Sequence, residues 1–171
     1  MAKYRLGFAV AILIFFLDQA MKWWVTGPLM LREIGQIFIL PIFNFTYTEN
    51  NGISLGLLNA TNPVGRWMLV ALTGAIAVGV AYWIGKEKNR VDQVALGMVL
   101  GGALGNILDR VRFGYVVDFA DLHFGAFRPF LVFNVGDAAI SIGVVILLLR
   151  AFLTRKEQSE GEKPGETIEH A

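Results

Sequence analysis

The chain contains no cysteine and only two histidines, His123 and His170. The absence of cysteine excludes disulfides, thiolate catalysis and cysteine-based zinc sites, and two histidines argue against a histidine-rich metal site. Charged residues are also scarce, at 17% of the 171 residues, where ordinary soluble domains have about 25%. The net charge is only +1 and no basic cluster resembles a nucleic-acid-binding surface, so we expect no nucleic acid partner.

Hydrophobic residues make up 55% of the chain and are concentrated in four apolar runs. Each run has about 20 residues, the length that crosses a hydrocarbon core about 30 Å thick. The predicted spans are residues 6–25, 67–84, 91–108 and 130–149. The pattern predicts an all-α membrane protein with four transmembrane helices, in a single domain over residues 1–155. Residues 156–171 are polar and without periodicity, which predicts a disordered cytoplasmic tail.

A cleaved signal peptide is the alternative interpretation of the first run, because Lys3 and Arg5 precede its apolar core. Two features favour an uncleaved helix. No Ala-x-Ala-like cleavage site follows the run, and Trp23 and Trp24 are typical of an anchor at the membrane interface.

The segment between the first two spans has a different character. Pro28, Pro41 and Pro63 interrupt any long helix, and residues 43–48 alternate aromatic and polar side chains, as a half-buried strand does. Asn50-Asn51-Gly52 then supplies a turn. We therefore predict a small β-sheet over about residues 37–58, lying on the membrane surface outside the cytoplasm.

Three glycines of the third span, Gly97, Gly101 and Gly105, are four residues apart. Small residues at this spacing let two helices approach closely inside a membrane. We interpret these glycines as packing positions rather than as part of a site.

Basic residues near the ends of the spans predict the orientation. The N-terminus, the 86–90 connection and residues 150–156 each carry Lys or Arg and fall on one side of a four-span chain. By the positive-inside rule this side is cytoplasmic, so both termini are predicted to be cytoplasmic. On the other side, Arg112 and Arg128 are interpreted as contacts to lipid headgroups.

Polar residues from separate spans are predicted to lie at one depth near the outer face. Asp18 lies in the outer third of the first span, and Asn106 and Asp109 end the third. Asp137 is placed about 10 Å inside the outer start of the fourth span by the helical rise, on one face with Asn134. Because ionisable groups are costly inside a membrane, their convergence indicates a functional site.

Two carboxylates, Asp118 and Asp137, are candidates for a hydrolytic pair, since neighbouring carboxylates can share a proton and activate water. Asp118 has a strand-like apolar context in which burial would raise its pKa. The rival acids fit less well: Asp109 is expected to pair with Arg110 or to cap the helix, and Asp121 to lie nearer a solvated loop.

Lys22 follows Asp18 by four residues, the favourable orientation for a helical ion pair. Two interpretations stay open. The pair is either a structural ion pair with Lys22 extending to the interface, or a support for the site.

Several short motifs, in this order and spacing, resemble those of the lipoprotein signal peptidases (signal peptidase II), small aspartic proteases of the bacterial inner membrane. The similarity covers about residues 8–150. The motifs are Leu17-Asp18-Gln19 with Lys22, Asn50-Asn51-Gly52, Gly101 to Asn106, Asp109-Arg110, Val116-Val117-Asp118-Phe119 and Phe133-Asn134 through Asp137. Gly136 stands where the family usually has alanine, and Leu55 where it usually has an aromatic residue.

The resemblance implies that Asp118 and Asp137 are the catalytic pair. It implies supporting or substrate-contacting roles for a further set of residues: Asp18, Lys22, Asn50, Gly52, Asn106, Asp109, Arg110 and Asn134.

The implied substrate is a prolipoprotein whose Cys carries diacylglycerol, cut just before that Cys near the periplasmic face of the inner membrane. No metal or cofactor is implied, membrane lipids are the other expected partners, and we expect a monomer. Two alternatives are a small transporter, although such proteins usually have more spans or repeated halves, and a non-catalytic assembly factor.

Overall fold

A computed structural model of the chain describes residues 5–52, 63–125 and 127–161, without the side chains of 155–161. Lys3, residues 53–58 of the expected surface sheet, Leu55 among them, and residues 162–171 of the expected tail lie outside the described residues. The helices, in chain order, are α1 (Arg5–Thr26), the short α2 (Leu31–Ile34), α3 (Pro63–Ile84), α4 (Arg90–Arg112) and α5 (Val135–Gly161). The strands are β1 (Gln36–Leu40), β2 (Phe43–Asn50) and β3 (Val116–Leu122).

In the part of the chain that the structure describes, four helices are long and apolar enough to cross a membrane, with mean hydropathies of 1.6, 1.9, 1.4 and 2.0 for α1, α3, α4 and α5. The prediction of four spans is confirmed, but the bounds differ. Helix α3 begins four residues before the expected start at 67, and α4 ends at Arg112 rather than at 108. Helix α5 begins at Val135 rather than at 130 and continues to Gly161, so residues 156–161 of the expected disordered tail are helical.

Helix α5 begins late because the apolar residues before it are extended. Phe133 exchanges backbone hydrogen bonds with Ala120 of β3, at N···O distances of 3.0 and 2.7 Å. Pro129 also interrupts the backbone hydrogen bonding at the start of this run. Phe133 therefore lies beside the sheet and not in a membrane-spanning helix, whereas Phe130 and Leu131 are exposed.

Helix α4 lies at the centre of the bundle: half of its apolar segment is buried, whereas only about a fifth is buried in each of α1, α3 and α5. Small residues on α4 allow the other helices to pack this closely around it. A Cβ atom on Gly97 would clash with the carbonyl oxygen of Gly7, and one on Gly101 with that of Ala11, both on α1. The interpretation as close-packing positions is confirmed for Gly97 and Gly101, because α1 and α4 meet backbone to backbone there; Gly105, in contrast, lies against the carboxylate of Asp18.

The sheet is antiparallel with the order β1-β2-β3. A small sheet was expected over about residues 37–58, and β1 and β2 form part of it. The third strand comes from between α4 and α5 and pairs with β2, so that Thr48 lies opposite Asp118 and Asn50 opposite Val116. A small apolar cluster that includes Val25 and Phe119 joins the sheet to the end of α1.

We expect Gly101→Ala to destabilise the fold by about 1–3 kcal/mol, the usual cost of overpacking. The new Cβ would lie 2.8 Å from the Cβ of Ile14 and against the Ala11 carbonyl, so neither neighbour can yield without a backbone shift. Thermal unfolding in detergent measures the loss.

Gly79→Ala is the matched control, because no described atom lies within 4 Å of the Cβ it would add on α3. The temperature at the midpoint of its thermal unfolding should be unchanged or slightly higher, since alanine favours the helical conformation. Equal losses in the two variants would contradict the close approach of α1 and α4.

Candidate active site

Asp118 is buried on β3 and accepts two side-chain hydrogen bonds. Asn134 Nδ2 donates to its Oδ1 at 2.6 Å, and Asn50 Nδ2 donates to its Oδ2 at 2.9 Å. Asn50 is itself oriented by a turn, because its Oδ1 accepts from the Gly52 amide at 2.9 Å. Gly52 has a φ of 87°, which residues with a side chain rarely adopt. The Asn-x-Gly turn therefore aims an amide at Asp118.

Asp137 lies in the first turn of α5, with Asn134 as the residue that caps the helix. The Asp137 amide donates to Asn134 Oδ1 at 2.9 Å, and the Asn134 amide donates to Asp137 Oδ2 at 3.2 Å. This reciprocal pair is a capping box. The expected depth of about 10 Å inside the fourth span is therefore wrong, as is the placing of Asn134 on the helix, because α5 begins at Val135.

Two asparagines join the carboxylates. Asn134 Nδ2 contacts both Asp118 Oδ1, at 2.6 Å, and Asn106 Oδ1, at 3.1 Å. Asn106 Nδ2 in turn donates to Asp137 Oδ1 at 2.8 Å. The structure thus brings Asp118 and Asp137, which come from different elements, into one hydrogen-bonded cluster.

Burial raises the pKa of Asp118 to about 7, and the neighbouring charge of Asp137 adds to the rise. The hydrogen bonds from Asn50 and Asn134 oppose it, because they favour the ionised form. Near neutral pH the cluster can therefore hold one proton between two acids, which is the state that acid–base hydrolysis requires.

Lys22 is buried and bridges two carboxylates. Its Nζ lies 2.7 Å from Asp18 Oδ2 and 2.9 Å from Asp109 Oδ2, and it donates to Asn106 Oδ1 at 3.1 Å. The ion pair with Asp18 is as expected, but Lys22 does not extend to the interface. The expected pairing of Asp109 with Arg110 is wrong, because the carboxylate of Asp109 faces α1.

Each of these two carboxylates also holds the backbone next to a candidate acid. Asp18 Oδ1 accepts from the amide of Gly136, at 2.9 Å, the residue before Asp137. Asp109 Oδ2 accepts from the amide of Val117, at 3.1 Å, the residue before Asp118. One ammonium group therefore fixes both segments that carry the candidate pair.

Gln19 belongs to the same network, although its role was missed from the sequence. Its Nε2 donates to Asp109 Oδ1 at 3.0 Å and to Asp18 Oδ2 at 3.2 Å. A signal was present, since Gln19 is a polar residue inside an apolar helix. Gly105 makes room for the network, because a Cβ there would clash with the Asp18 carboxylate.

Arg110 is half-buried near the pair. Its Nη1 is 3.5 Å from the Asn106 carbonyl oxygen, and its charge interacts with those of Asp137 and Asp118. Its Nε has no hydrogen-bond partner within the described part of the chain. Arg110 thus has a free donor beside the two acids.

Asp121 is buried on β3, so the expectation that it lies in a solvated loop is wrong. Thr46 Oγ1 donates to its Oδ2 at 3.0 Å, and Arg128 Nε lies 3.2 Å from its Oδ1. Arg128, expected at lipid headgroups, is therefore held by Asp121. Among the side chains that the structure describes, no three from His, Asp or Glu are grouped so as to hold a metal ion.

Comparison of the chain with known proteins identifies a family that its sequence matches. The model of the family described as "Signal peptidase (SPase) II" matches residues 10–153. The lipoprotein signal peptidase of Sphingopyxis alaskensis is 53% identical over 162 residues, covering 95% of this chain and 90% of that protein. The lipoprotein signal peptidase of Rhizorhabdus wittichii is 54% identical over 157 residues, covering 92% and 91%.

Two solved structures, each of a bacterial membrane enzyme determined by the in meso method, have the same fold. The one at 2.3 Å resolution has a TM-score of 0.75 and 27% identity, over 94% of this chain and 93% of that chain. The one at 1.9 Å resolution has a TM-score of 0.73 and 29% identity, over 85% and 91%.

We expect Lys22→Met to lower the free energy of unfolding by about 3–5 kcal/mol, because it leaves two buried carboxylates without their cation. Adding Asp18→Asn and Asp109→Asn should recover part of the loss. Denaturant or thermal unfolding in detergent measures both effects.

The control is Arg32→Met, which breaks the exposed Arg32–Glu49 pair, 3.2 Å apart. Its cost should be about 1 kcal/mol or less. A Lys22→Met variant as stable as this control would show that the bridge is not needed for the fold.

Proposed function

Because the chain belongs to the signal peptidase II family, it is a membrane-bound aspartic peptidase, and we propose that Asp118 and Asp137 are its catalytic pair. The observation that carries the assignment is the cluster in which Asn134 and Asn106 join the two carboxylates. The raised pKa of Asp118 supports it further, since it lets this carboxyl keep a proton near neutral pH.

The reaction is removal of the signal peptide from a lipoprotein precursor, with the cut just before a Cys that carries diacylglycerol. The names of the relatives support this substrate. The position of the pair also supports it, because β3 and the start of α5 lie at the ends of the apolar helices, where a lipidated Cys at headgroup level would present its peptide bond. Neither a transporter nor an assembly factor is favoured by these relatives.

In this mechanism Asp137 is ionised and takes a proton from a water molecule as the water oxygen attacks the scissile carbonyl carbon. Asp118 is protonated and donates a hydrogen bond, then its proton, to the carbonyl oxygen. The gem-diol then collapses: Asp137 gives its proton to the leaving nitrogen of the Cys, the C–N bond breaks, and Asp118 recovers its proton as the new carboxylic acid forms. No net proton is gained or lost by the pair.

The other residues support these two acids. Asn134 and Asn106 keep the carboxyl groups together, and Asn50, held by Gly52, orients Asp118. Arg110 contacts the substrate, which is supported by its free Nε beside the pair.

The buried bridge acts on the reaction only indirectly; its residues are Asp18, Lys22 and Asp109. They position the backbone that carries the two acids, through the amides of Gly136 and Val117. We therefore class them as positioning residues.

The protein is a multi-pass protein of the bacterial inner membrane. Its termini face the cytoplasm and its catalytic pair lies near the periplasmic face. The basic 86–90 connection supports this orientation, because it joins α3 to the start of α4, at the opposite end of α4 from β3. The protein acts as a monomer, which is supported by the fact that one chain supplies the whole network around the pair.

We expect Asp118→Asn and Asp137→Asn each to abolish cleavage of a synthetic diacylglyceryl-Cys peptide, by at least about 1,000-fold. Either change removes one of the two proton-transfer groups but keeps the size of the side chain. The assay is run in detergent, with thermal unfolding to confirm the folded state.

Asp92→Asn is the control, because Asp92 is paired with Arg150 near the other end of α4. It should cleave at the parent rate. Near-normal cleavage by a folded Asp118→Asn or Asp137→Asn variant would refute the assignment.

The value of kcat/KM is expected to decrease as the pH rises above about 7. Below its pKa of about 7, Asp118 holds the proton that it donates to the carbonyl oxygen; above this pKa the proton, and with it the donor, is lost. The decline should approach tenfold per pH unit. A rate that is constant between about pH 6 and about pH 9 would exclude a protonated Asp118 from the mechanism.

A further inference from the structure

A cavity of about 290 Å³ lies on the side of β3 that faces away from the catalytic pair. Val117 lines it, whereas Asp118, the next residue of the strand, points to the opposite face. Lys22 and Asp109 line it as well, and neither Asp118 nor Asp137 is among its described lining residues. The cavity is therefore separate from the catalytic pair but shares the bridging network with it.

The charged groups of the deep wall, Lys22 and Asp109, are already paired with other protein groups. The Asp109 carboxylate is bound by Gln19, Lys22 and the Val117 amide. Lys22 has three partners, which is the number of protons on its ammonium group. A ligand must therefore be held by the groups nearer the mouth.

The groups nearer the mouth are mainly hydrogen-bond donors. Arg112 lies over the ring of Phe113, 5.0 Å from the ring centre, and has no carboxylate within ion-pair distance in the described part of the chain. Arg32 makes an exposed pair with Glu49 at 3.2 Å and lies over the ring of Tyr47, 5.9 Å from the ring centre. The phenol oxygens of Tyr47 and Tyr115 lie 3.3 Å apart, and the Tyr47 hydroxyl also donates to Glu49 Oε1 at 3.3 Å, so both phenols belong to a short hydrogen-bonded chain beside the two arginines. A wall with these donors is suited to a ligand that has many hydrogen-bond acceptors.

The chemistry that fits these donors is a phosphate diester. Guanidinium groups bind phosphate oxygens with two parallel hydrogen bonds. A volume of about 290 Å³ is at the small end of the range for ligand pockets, so it admits a headgroup and not a whole lipid. Glu33 is the remaining carboxylate of the wall, and it can accept from a hydroxyl of the headgroup.

The surroundings of the mouth are apolar and aromatic. Trp23 and Phe113 both line the cavity and are largely exposed, at the ends of α1 and α4 that meet the sheet. Aromatic rings at this level are typical of the membrane interface. They give the acyl chains of a lipid a surface that leads from the cavity into the bilayer.

We propose that this cavity binds the headgroup of an anionic phospholipid. The phosphate lies against Arg112 and Arg32, a headgroup hydroxyl against Glu33, and the start of the acyl chains against Trp23 and Phe113. Inorganic phosphate has the same anionic chemistry but lacks the chains, which gives the experiment a second arm.

The experiment titrates the full-length protein, in a phospholipid-free maltoside detergent, with dioleoyl phosphatidylglycerol and counts bound lipid by native mass spectrometry. One lipid should bind saturably, and more tightly than dioleoyl phosphatidylcholine, whose headgroup has no hydroxyl and no net charge. Arg112→Gln should weaken this binding about tenfold. Arg112→Lys should weaken it less, because it keeps the charge but loses the paired hydrogen bonds.

Arg90→Gln is the matched control, since Arg90 is exposed at the opposite end of α4. It removes the same charge and should leave the affinity unchanged within about twofold. The Arg112 variants should also cleave the synthetic peptide at the parent rate in this detergent, which shows that they are folded.

Equal losses in Arg112→Gln and Arg90→Gln would overturn the site, since they would indicate only non-specific attraction. Equal affinity for the two lipids would overturn the preference for an anionic headgroup. Inorganic phosphate that binds as tightly as phosphatidylglycerol would overturn the assignment to a lipid.

Discussion

The buried bridge of Lys22 to Asp18 and Asp109 is the interaction on which the rest of the structure depends. Moving charges out of water is costly, and the mutual attraction offsets this cost only where the geometry is good and the remaining hydrogen bonds are made. Here they are made: Gln19 and the amides of Gly136 and Val117 satisfy the carboxylate oxygens. The bridge therefore joins α1, α4, β3 and the start of α5 at one point.

The bridge in turn requires a close approach of the helices. Gly97 and Gly101 bring α4 onto the backbone of α1, and Gly105 leaves space for the Asp18 carboxylate. In a membrane the apolar outer faces of α1, α3 and α5 contact lipid, so hydrophobic burial cannot select the partner of each helix. Backbone contact at glycines and the buried polar network supply this selection instead.

The sequence was most informative where the physics is local. Hydropathy located four spans, because a membrane demands about 20 apolar residues per helix. The Asp18–Lys22 pair could be found from its spacing of four residues. The polar residues of the site could be found because charges rarely occur inside apolar segments. The resemblance to a family added Asn50, Gly52 and Arg110.

The sequence was less informative where the contacts are distant along the chain. Hydropathy placed the start of the fourth span at 130, because the apolar, extended segment that leads to Phe133 and its bridge with Ala120 has the composition of a helix start. Asp109 was expected to pair with its neighbour Arg110 or to cap the helix, since nothing in the sequence indicates a partner 87 residues away on α1. The burial of Asp121 and the joining of β3 to β2 depend on pairing between segments about 70 residues apart.

The central claim is that the Lys22 network holds two acids together so that they share one proton near neutral pH. Infrared difference spectroscopy of the carboxyl groups, recorded while the pH is raised, tests it most directly. The parent protein should show a protonated carboxyl that disappears through about pH 7, and the signal should be absent from Asp118→Asn. A parent spectrum with no carboxyl titrating in that region, or an unchanged signal in Asp118→Asn, would contradict the account.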